Sequence, residues 1–304
     1  VIAAAVLLGL MAHRASGPAS VGGAASAVTR APMPTPASPP KTDYATKLAP
    51  TGELIRARLK LGLRSGLLFD VRAGRVLWER DPGRRLPIAS LTKMMTALVV
   101  TANARPSAKV LITREAIHFS GSGVGLLPLG KRVPLGALLY GLLLPSGNDA
   151  AIALAQHVGR TQARFISMMN ARARAMGLRC THFSTVSGIV DRGNYSCATD
   201  LAALAHAMLV QPLLSRIVAS RSAILPFPIK GGRLFLYSNN PLLIARYPGA
   251  DGVKTGFTDA SGPCLVAAAR RGRTWLGVVL LHSGNPSAQA QQLLNAGFAK
   301  LRHA

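Results

Sequence analysis

Acidic residues are scarce in this chain. Its 304 residues include 11 Asp and Glu against 36 Lys and Arg, a net charge of +25 at pH 7. Only three of the acids are glutamates: Glu53, Glu79 and Glu115. A basic excess of this size raises polyanions as partners, nucleic acid among them. Yet the cations are dispersed, the densest cluster being RRGR at 270–273, with neither zinc-finger spacing nor an aromatic RNA-binding motif. Nucleic acid is therefore not expected, and attraction to an anionic surface outside the cell is. Cysteine is scarce as well: Cys180, Cys197 and Cys264. None forms a C-x-x-C pair and the seven histidines form no H-E-x-x-H, which excludes the usual zinc sites. No metal and no cofactor is expected. The odd cysteine count argues against a disulfide-built scaffold. Free or buried thiols are the expectation, a Cys180–Cys197 bridge being the alternative in an oxidising compartment.

What is present is a globular composition, with 49% hydrophobic and 15% charged residues. The length suits one large domain or two smaller ones. Residues 1–12, VIAAAVLLGLMA, form an apolar run short of the ~20 residues a bilayer requires. They read as the core of a signal peptide or part of a membrane anchor, with ASA at 25–27 as a cleavage site. No basic segment precedes the run and the chain begins with Val. Residues 28–48, with APMPTPASPPKTD, are rich in Pro, Ala and Ser and read as a linker. The folded domain is expected over 49–304.

Within that domain SGLLFDVRAGRVLWERD, 65–81, reads as a β-hairpin. From 88 to about 215 the pattern turns helical, with segments at 90–104, 134–143, 148–159 and 161–176. DGVKTGFT (251–258), PCLVAAAR (263–270) and TWLGVVLLH (274–282) read as strands, and the chain closes on an amphipathic helix. Strands at both ends around a helical middle predict an α+β fold, with one mostly antiparallel sheet and helices on its faces.

The stretch PIASLTKMMTALVV, 87–100, places one cation, Lys93, in an otherwise apolar run, three residues after Ser90. On a helix, positions i and i+3 share a face. Burial strips hydration from an ammonium and lowers its pKa, so a buried lysine becomes a base able to take a serine proton. The helix N-terminus adds partial positive charge and free N–H groups. Taken alone, the spacing is expected about once by chance, and serine is also a common N-cap. LLLPSGNDAAIALA (142–155) adds Ser146 and Asn148 on a turn between helices. The hydroxyl there can relay a proton and the amide can hold a peptide; the plainer reading is again a cap. DGVKTGFTD adds Lys254, Thr255 and Gly256, where glycine lets a ligand backbone approach a strand; an ordinary edge strand is the plainer alternative.

The three pieces in this order resemble the S-x-x-K, S-x-N and K-T-G set of the penicillin-recognising serine enzymes, penicillin-binding proteins and serine β-lactamases. Here they stand as Ser90–Lys93, Ser146–Asn148 and Lys254–Gly256. The surrounding text over roughly 60–300, including FISMMNARARAMGLRCTHF and YSCATDLAALAHAML, is similar to the D-alanyl-D-alanine carboxypeptidase branch. The resemblance implies a three-layer, β-lactamase/transpeptidase-like fold with a helical subdomain. It implies Ser90 as nucleophile, Lys93 as base and Ser146 as proton relay. Asn148, Lys254, Thr255, Gly256 and Phe257 would bind substrate, with the Ser90 and Phe257 N–H groups as the oxyanion hole. The implied partners are the peptidoglycan stem peptide and, as inhibitors, β-lactam antibiotics. The implied activity is removal of the terminal D-alanine outside the cytoplasmic membrane. Cross-link-cutting endopeptidase, β-lactamase and non-catalytic peptidoglycan binding are the alternatives. No glutamate follows Ser146, which argues against the β-lactamase. Some relatives carry an Arg before K-T-G that holds the substrate carboxylate. Here Asn239 stands near that place, leaving Thr255, Thr258 and Arg246 as candidates. The chain ends at LRHA, so any membrane attachment is expected at the N-terminus.

Overall fold

The structure is a computed structural model that describes residues 44, 48, 54, 55, 57, 59 and 62–302. All belong to one compact unit, residues 39–304. The expected leader over 1–27, and the linker apart from Tyr44 and Leu48, lie outside the described residues.

In chain order a hairpin, β1 (Leu63–Asp70) and β2 (Val76–Arg80), leads through β3 (Leu86–Pro87) and a 3-10 turn, Ala89–Thr92, into α1 (Lys93–Asn103). Then come β4 (Lys109–Leu111), α2 (Arg114–Ile117), β5 (Arg132–Pro134), α3 (Leu135–Leu143), α4 (Asn148–Gly159) and α5 (Gln162–Ala175). After β6 (Tyr195–Ser196) follow α6 (Ala198–Leu209), α7 (Pro212–Ala219), a ribbon of β7 (Ser222–Pro226) and β8 (Arg233–Tyr237), and α8 (Pro241–Ile244). The chain returns through β9 (Ala250–Gly256), β10 (Cys264–Arg271) and β11 (Thr274–Ser283) to the long helix α9 (Pro286–Arg302). Local chemistry sets several of these starts. Thr161 caps α5 through Arg164 N (3.2 Å), and Asn240 caps α8 through Leu242 N (3.0 Å). Proline opens α7, where its missing N–H costs nothing.

The main sheet runs β2-β1-β11-β10-β9, every pair antiparallel. Strands from the two ends of the domain thus join in one sheet, as expected, β1 pairing with β11. The sheet is apolar on both faces because its strands alternate between two cores. Leu67, Phe69, Val266, Ala268, Val279 and Leu281 point into one core, shared with α1, α3, α4 and α6. Leu68, Leu265, Ala267, Ala269, Val278 and Leu280 point into the other, filled by Leu293, Leu294 and Phe298 of α9. Side chains of period two, buried on both sides, demand helices on both sides. The result is the expected three-layer α+β architecture, with the helical part packed on one face. Helix α1 is buried from Lys93 through Val100, so it is a core helix with helices all round it.

Three details differ from the sequence reading. The segment expected to be helical from 90 begins as the 3-10 turn, and the α-helix starts only at Lys93. The region read as helical also contains the small ribbon β4–β5 and the strand β6, which pairs with β3 just before that region. Finally, Cys180 and Cys197 are joined, with Cα atoms 5.8 Å apart, where free thiols were expected; Cys264 is the buried free thiol. The register explains the bridge. His182 and Tyr195 exchange both backbone hydrogen bonds (2.9 and 3.0 Å), so antiparallel pairing carries residue 180 opposite residue 197. An odd count left Cys264 over without disqualifying the other two.

Candidate active site

Ser90 and Lys93 meet because of how the chain turns after Pro87. Strand β3 ends there, and Ala89, the first residue of the 3-10 turn, takes a left-handed φ of 45°. Leu91 N donates to Ile88 O (3.1 Å) and Thr92 Oγ1 to Ala89 O (2.8 Å), tightening the turn. Residues i and i+3 eclipse in a 3-10 turn. Ser90 Oγ and Lys93 Nζ therefore lie 2.8 Å apart. The left-handed residue beside them is the kind of local strain that surrounding structure must hold in place.

Lys93 is fully buried, and its amine has three partners: Ser90 Oγ, Asn148 Oδ1 at 2.6 Å and Ser187 O at 2.7 Å. Two of these are carbonyl oxygens, which can only accept. A neutral amine has two N–H bonds and one lone pair. It must spend both N–H bonds on the carbonyls, so its lone pair faces the serine. Burial is the main force pushing the Lys93 pKa well below its usual value; the Lys254 cation adds to it, and Asp149 opposes it. The neutral form is thus favoured in this geometry.

The surroundings of Lys93 are themselves fixed. Asn148 opens α4; its Nδ2 donates to Ser120 O (2.5 Å) and its N to Ser122 O (2.8 Å), which sets the direction of Oδ1. Asp149 accepts from Val124 N (2.9 Å), Gly125 N (3.0 Å) and Ala150 N (2.7 Å), holding the 122–125 segment against α4. Ser146 lies on the turn between α3 and α4 with a left-handed φ of 67°, and its buried Oγ has no hydrogen-bond partner among the described residues. A buried, unpaired hydroxyl is costly, and in a functional cleft it is a group waiting for a ligand.

The opposite wall is the end of β9. Lys254 is buried, Thr255 half-buried, Gly256 buried and Phe257 exposed. Desolvation brings the Lys254 pKa down to about 7, and its Nζ donates to Thr255 O (2.9 Å). Gly256 backs directly onto the nucleophile turn: a Cβ there would lie 2.9 Å from Ile88 O and 3.2 Å from Ser90 N. The glycine thus lets β9 close on Ser90. Among the described residues neither Ser90 N nor Phe257 N donates in a turn or loop hydrogen bond.

The structure therefore brings Ser90, Lys93 and Asn148 into direct contact and sets Gly256 against the same turn. The carboxylate candidates fare differently. Asn239 ties down the Ser146 turn, its N on Leu144 O (3.1 Å) and its Nδ2 on Pro145 O (3.2 Å). Thr258 Oγ1 donates to Asp191 Oδ1 (2.9 Å). Arg246 precedes β9 and lines a cleft with Ala219, Arg221 and Tyr247 at the strand's first residue, Ala250, whereas Thr255 is near its last. A cleft of about 940 Å³ between α7 and β10–β11, lined by Arg216, Asp251 and Trp275, contains none of the predicted residues.

The sequence reading missed the loop 181–196. It supplies Ser187 O to Lys93, and Gly188 packs where a Cβ would stand 1.9 Å from Ala89 O, at a φ of +80°. Its one visible signal was a tract with two glycines and an asparagine, SGIVDRGN, bracketed by two cysteines.

A three-layer fold with a serine hydrogen-bonded to a buried lysine, a second serine on a turn and a K-T-G strand closing the cleft is the arrangement expected of the penicillin-recognising serine enzymes. Comparison with known proteins narrows the class. The family description of D-alanyl-D-alanine carboxypeptidases matches residues 56–285, and the chain belongs to that family. It is 31% identical over 245 residues to D-alanyl-D-alanine carboxypeptidase DacF of Bacillus subtilis, covering 78% of this chain and 62% of that protein. It is 34% identical over 256 residues to DacA of Escherichia coli, covering 79% and 61%. The chain thus spans about three fifths of these two relatives. Coverage is fuller for DacB2 of Mycobacterium tuberculosis, 34% identical over 241 residues, 77% of this chain and 81% of that one. The crystal structure of the Streptomyces K15 DD-transpeptidase superposes with a TM-score of 0.74 at 32% identity, covering 80% of this chain and all of that one.

Proposed function

We propose that this protein is a serine-type D-Ala-D-Ala carboxypeptidase that removes the terminal D-alanine from peptidoglycan stem pentapeptides through an acyl-enzyme on Ser90. The observation that carries the reading is the Lys93 amine: buried, with two carbonyl acceptors and its third position on Ser90 Oγ. Lys93 takes the Ser90 proton as Oγ attacks the carbonyl between the two D-alanines. The Ser90 and Phe257 N–H groups receive the oxyanion; one such donor is typically worth ~3–4 kcal/mol of barrier. Ser146 passes a proton to the leaving amine, supported by Lys254. Asn148 and the 254–257 strand hold the peptide as an added strand. Water, activated again by Lys93, then releases the acyl group.

Penicillins would enter the same site and stop at the acyl stage. Among the described residues the hydrogen-bond partners of Lys93 include no carboxylate, and the neighbouring loop offers it a main-chain carbonyl. That favours slow deacylation over β-lactamase turnover. The reaction would take place outside the cytoplasmic membrane, with residues 1–27 serving as a signal peptide or partial anchor. The Cys180–Cys197 bridge suits an oxidising compartment. No single helix among the described residues is long and apolar enough to cross a membrane.

The test is incubation of residues 48–304 with a fluorescent penicillin, read by gel and intact mass, alongside release of D-alanine from a D-Ala-D-Ala peptide. A stable adduct on Ser90, lost in Ser90→Ala, is expected. Labelling of a folded Ser90→Ala protein, or no labelling of the folded wild type, would refute the assignment.

A further inference from the structure

The loop between Cys180 and Cys197 touches the catalytic cluster from several sides at once. Three polar residues of the nucleophile turn and α1 each bind it. Thr92 Oγ1 accepts from Asn194 Nδ2 (2.8 Å), Lys93 Nζ donates to Ser187 O (2.7 Å), and Thr96 Oγ1 donates to Val186 O (2.7 Å). Gly188 lies against Ala89, the left-handed residue before Ser90. On its other flank Asp191 accepts from Thr258 Oγ1 (2.9 Å), one residue beyond Phe257. The loop is therefore the lid over Lys93 and the strut between the nucleophile turn and the β9 wall. Its base is held by the His182–Tyr195 backbone pairing, the Thr181–Ser196 hydroxyl contact (2.7 Å), the two hydrogen bonds of Asn170 to the Phe183 backbone (2.8 and 2.9 Å) and, as the one covalent tie, the disulfide. The sulfurs lie beside a cleft of about 550 Å³ lined by Gly83, Arg85, Arg179 and Thr199, a route for a small reductant.

We propose that the Cys180–Cys197 disulfide is a redox-sensitive positioning device: closed, it holds the loop on Lys93 and, through Asp191, on the Phe257–Thr258 wall; opened by a dithiol, it slows acylation of Ser90. The proposal rests on the reading of Ser90 as the acylated residue. Chemically the step is thiol–disulfide exchange: the dithiol loses two electrons and two protons to become a cyclic disulfide, and Cys180 and Cys197 become thiols. Opening the bridge returns chain freedom to a loop that it closed. Once freed, the loop lets water reach Lys93, which is fully buried beneath it in the bridged protein. Two charged groups act on that amine, Lys254 from β9 and Asp149 from α4; its other contacts, Ser90, Asn148 and Ser187 O, are neutral. Burial is the largest of the influences that keep it neutral, so hydration raises its pKa. Asp191 is a positioning residue, since it acts only through Thr258.

The experiment measures acylation by fluorescent penicillin from pH 6 to 10 on the full chain, oxidised and after dithiothreitol, with intact mass confirming the gain of two hydrogens. Asp191→Ala and Thr258→Val break the strut from either side without touching the cysteines, and thermal melts establish that each is folded. Lys93 exposure is read separately by acetic anhydride labelling and peptide mass mapping. Expected are acylation at pH 7 slowed about tenfold on reduction, the acid limb of its pH profile moved to higher pH, and Lys93 newly labelled. The two strut variants should show the same direction to a smaller extent. Unchanged rates, or slower rates with an unmoved limb and Lys93 still protected, would reduce the bridge to a general staple and overturn the proposal. Failure of the oxidised wild type to acylate would sink the function reading instead, while Lys93 labelling would still decide the loop's role.

Discussion

Lys254 offers the sharpest quantitative test, because it is a buried cation whose cost can be worked out. Its pKa falls from the usual 10.5 to about 7 by desolvation alone. The unfolded chain therefore holds a proton between pH 7 and 10.5 that the folded protein gives up. Stability must rise with pH across that window, and the penalty is complete below about pH 7, where both states are charged. At ~1.4 kcal/mol per pH unit, the fall costs the native state roughly 4 kcal/mol at pH 7 and only about 1 kcal/mol near pH 9.5. Lys254→Met keeps the length and removes the charge. It also strands Thr255 O, the acceptor of the lysine's hydrogen bond, a loss of about 1–2 kcal/mol. The net expectation is a variant more stable by ~2 kcal/mol at pH 7, seen as a melting temperature higher by roughly 4–8 °C. The gain should shrink to nothing near pH 9–10, and penicillin acylation should fall sharply at every pH. Calorimetric melts of wild type and variant at pH 6, 7, 8, 9 and 10 decide the matter. A variant less stable at pH 7, or an advantage that does not decline with pH, would refute the view of Lys254 as a desolvated cation retained for function.

Other consequences follow from the same geometry. Asn148→Ala removes an acceptor from Lys93 and should slow acylation roughly 100-fold, the worth of a buried hydrogen bond to a reacting group; a rate within twofold of wild type in adduct-formation kinetics would contradict the role. Gly188→Ala must place a Cβ against Ala89 O at a left-handed φ. It should lose about 3 kcal/mol or more, and an unchanged melt would show that the loop is not pressed on the turn. Acylation by wild type should rise with pH along a limb well below 10.5, since burial and Lys254 lower the Lys93 pKa and only the neutral amine is a base; a limb at or above pH 10 would refute the assignment of Lys93 as base.

The candidate site was legible where its contacts were local in sequence. Ser90 and Lys93 are three apart, and i, i+3 contact holds for a 3-10 turn as for an α-helix. The reading therefore expected the contact between the pair while naming the wrong helix type. The sheet was legible because its strands carry Val, Leu and Ala in short runs bounded by turns. What was not legible depends on the backbone. Ser187 contributes a carbonyl, which every residue has, so no side-chain pattern announces it. The bridge from Cys180 to Cys197 depends on the His182–Tyr195 register, which emerges only once the loop folds back. The ribbon β7–β8 carries alternation, with Leu234 and Leu236 in and Phe235 and Tyr237 out, but its apolar residues also face solvent, which blurs the period.

These failures share a cause with the site's function. A fold specified by consistent local rules would not bury Lys93 and Lys254 near each other, set Ala89 and Ser146 at left-handed φ, or leave Ser146 Oγ unpaired in the interior. Each violation costs stability, and all fall within the one cleft between α1, α4 and the end of β9. Together they leave one lone pair facing one hydroxyl, a second hydroxyl without a partner, and a glycine strand end against the nucleophile's N–H. Those are the open valences that a bound peptide would fill, and an arrangement serving packing alone would have closed them.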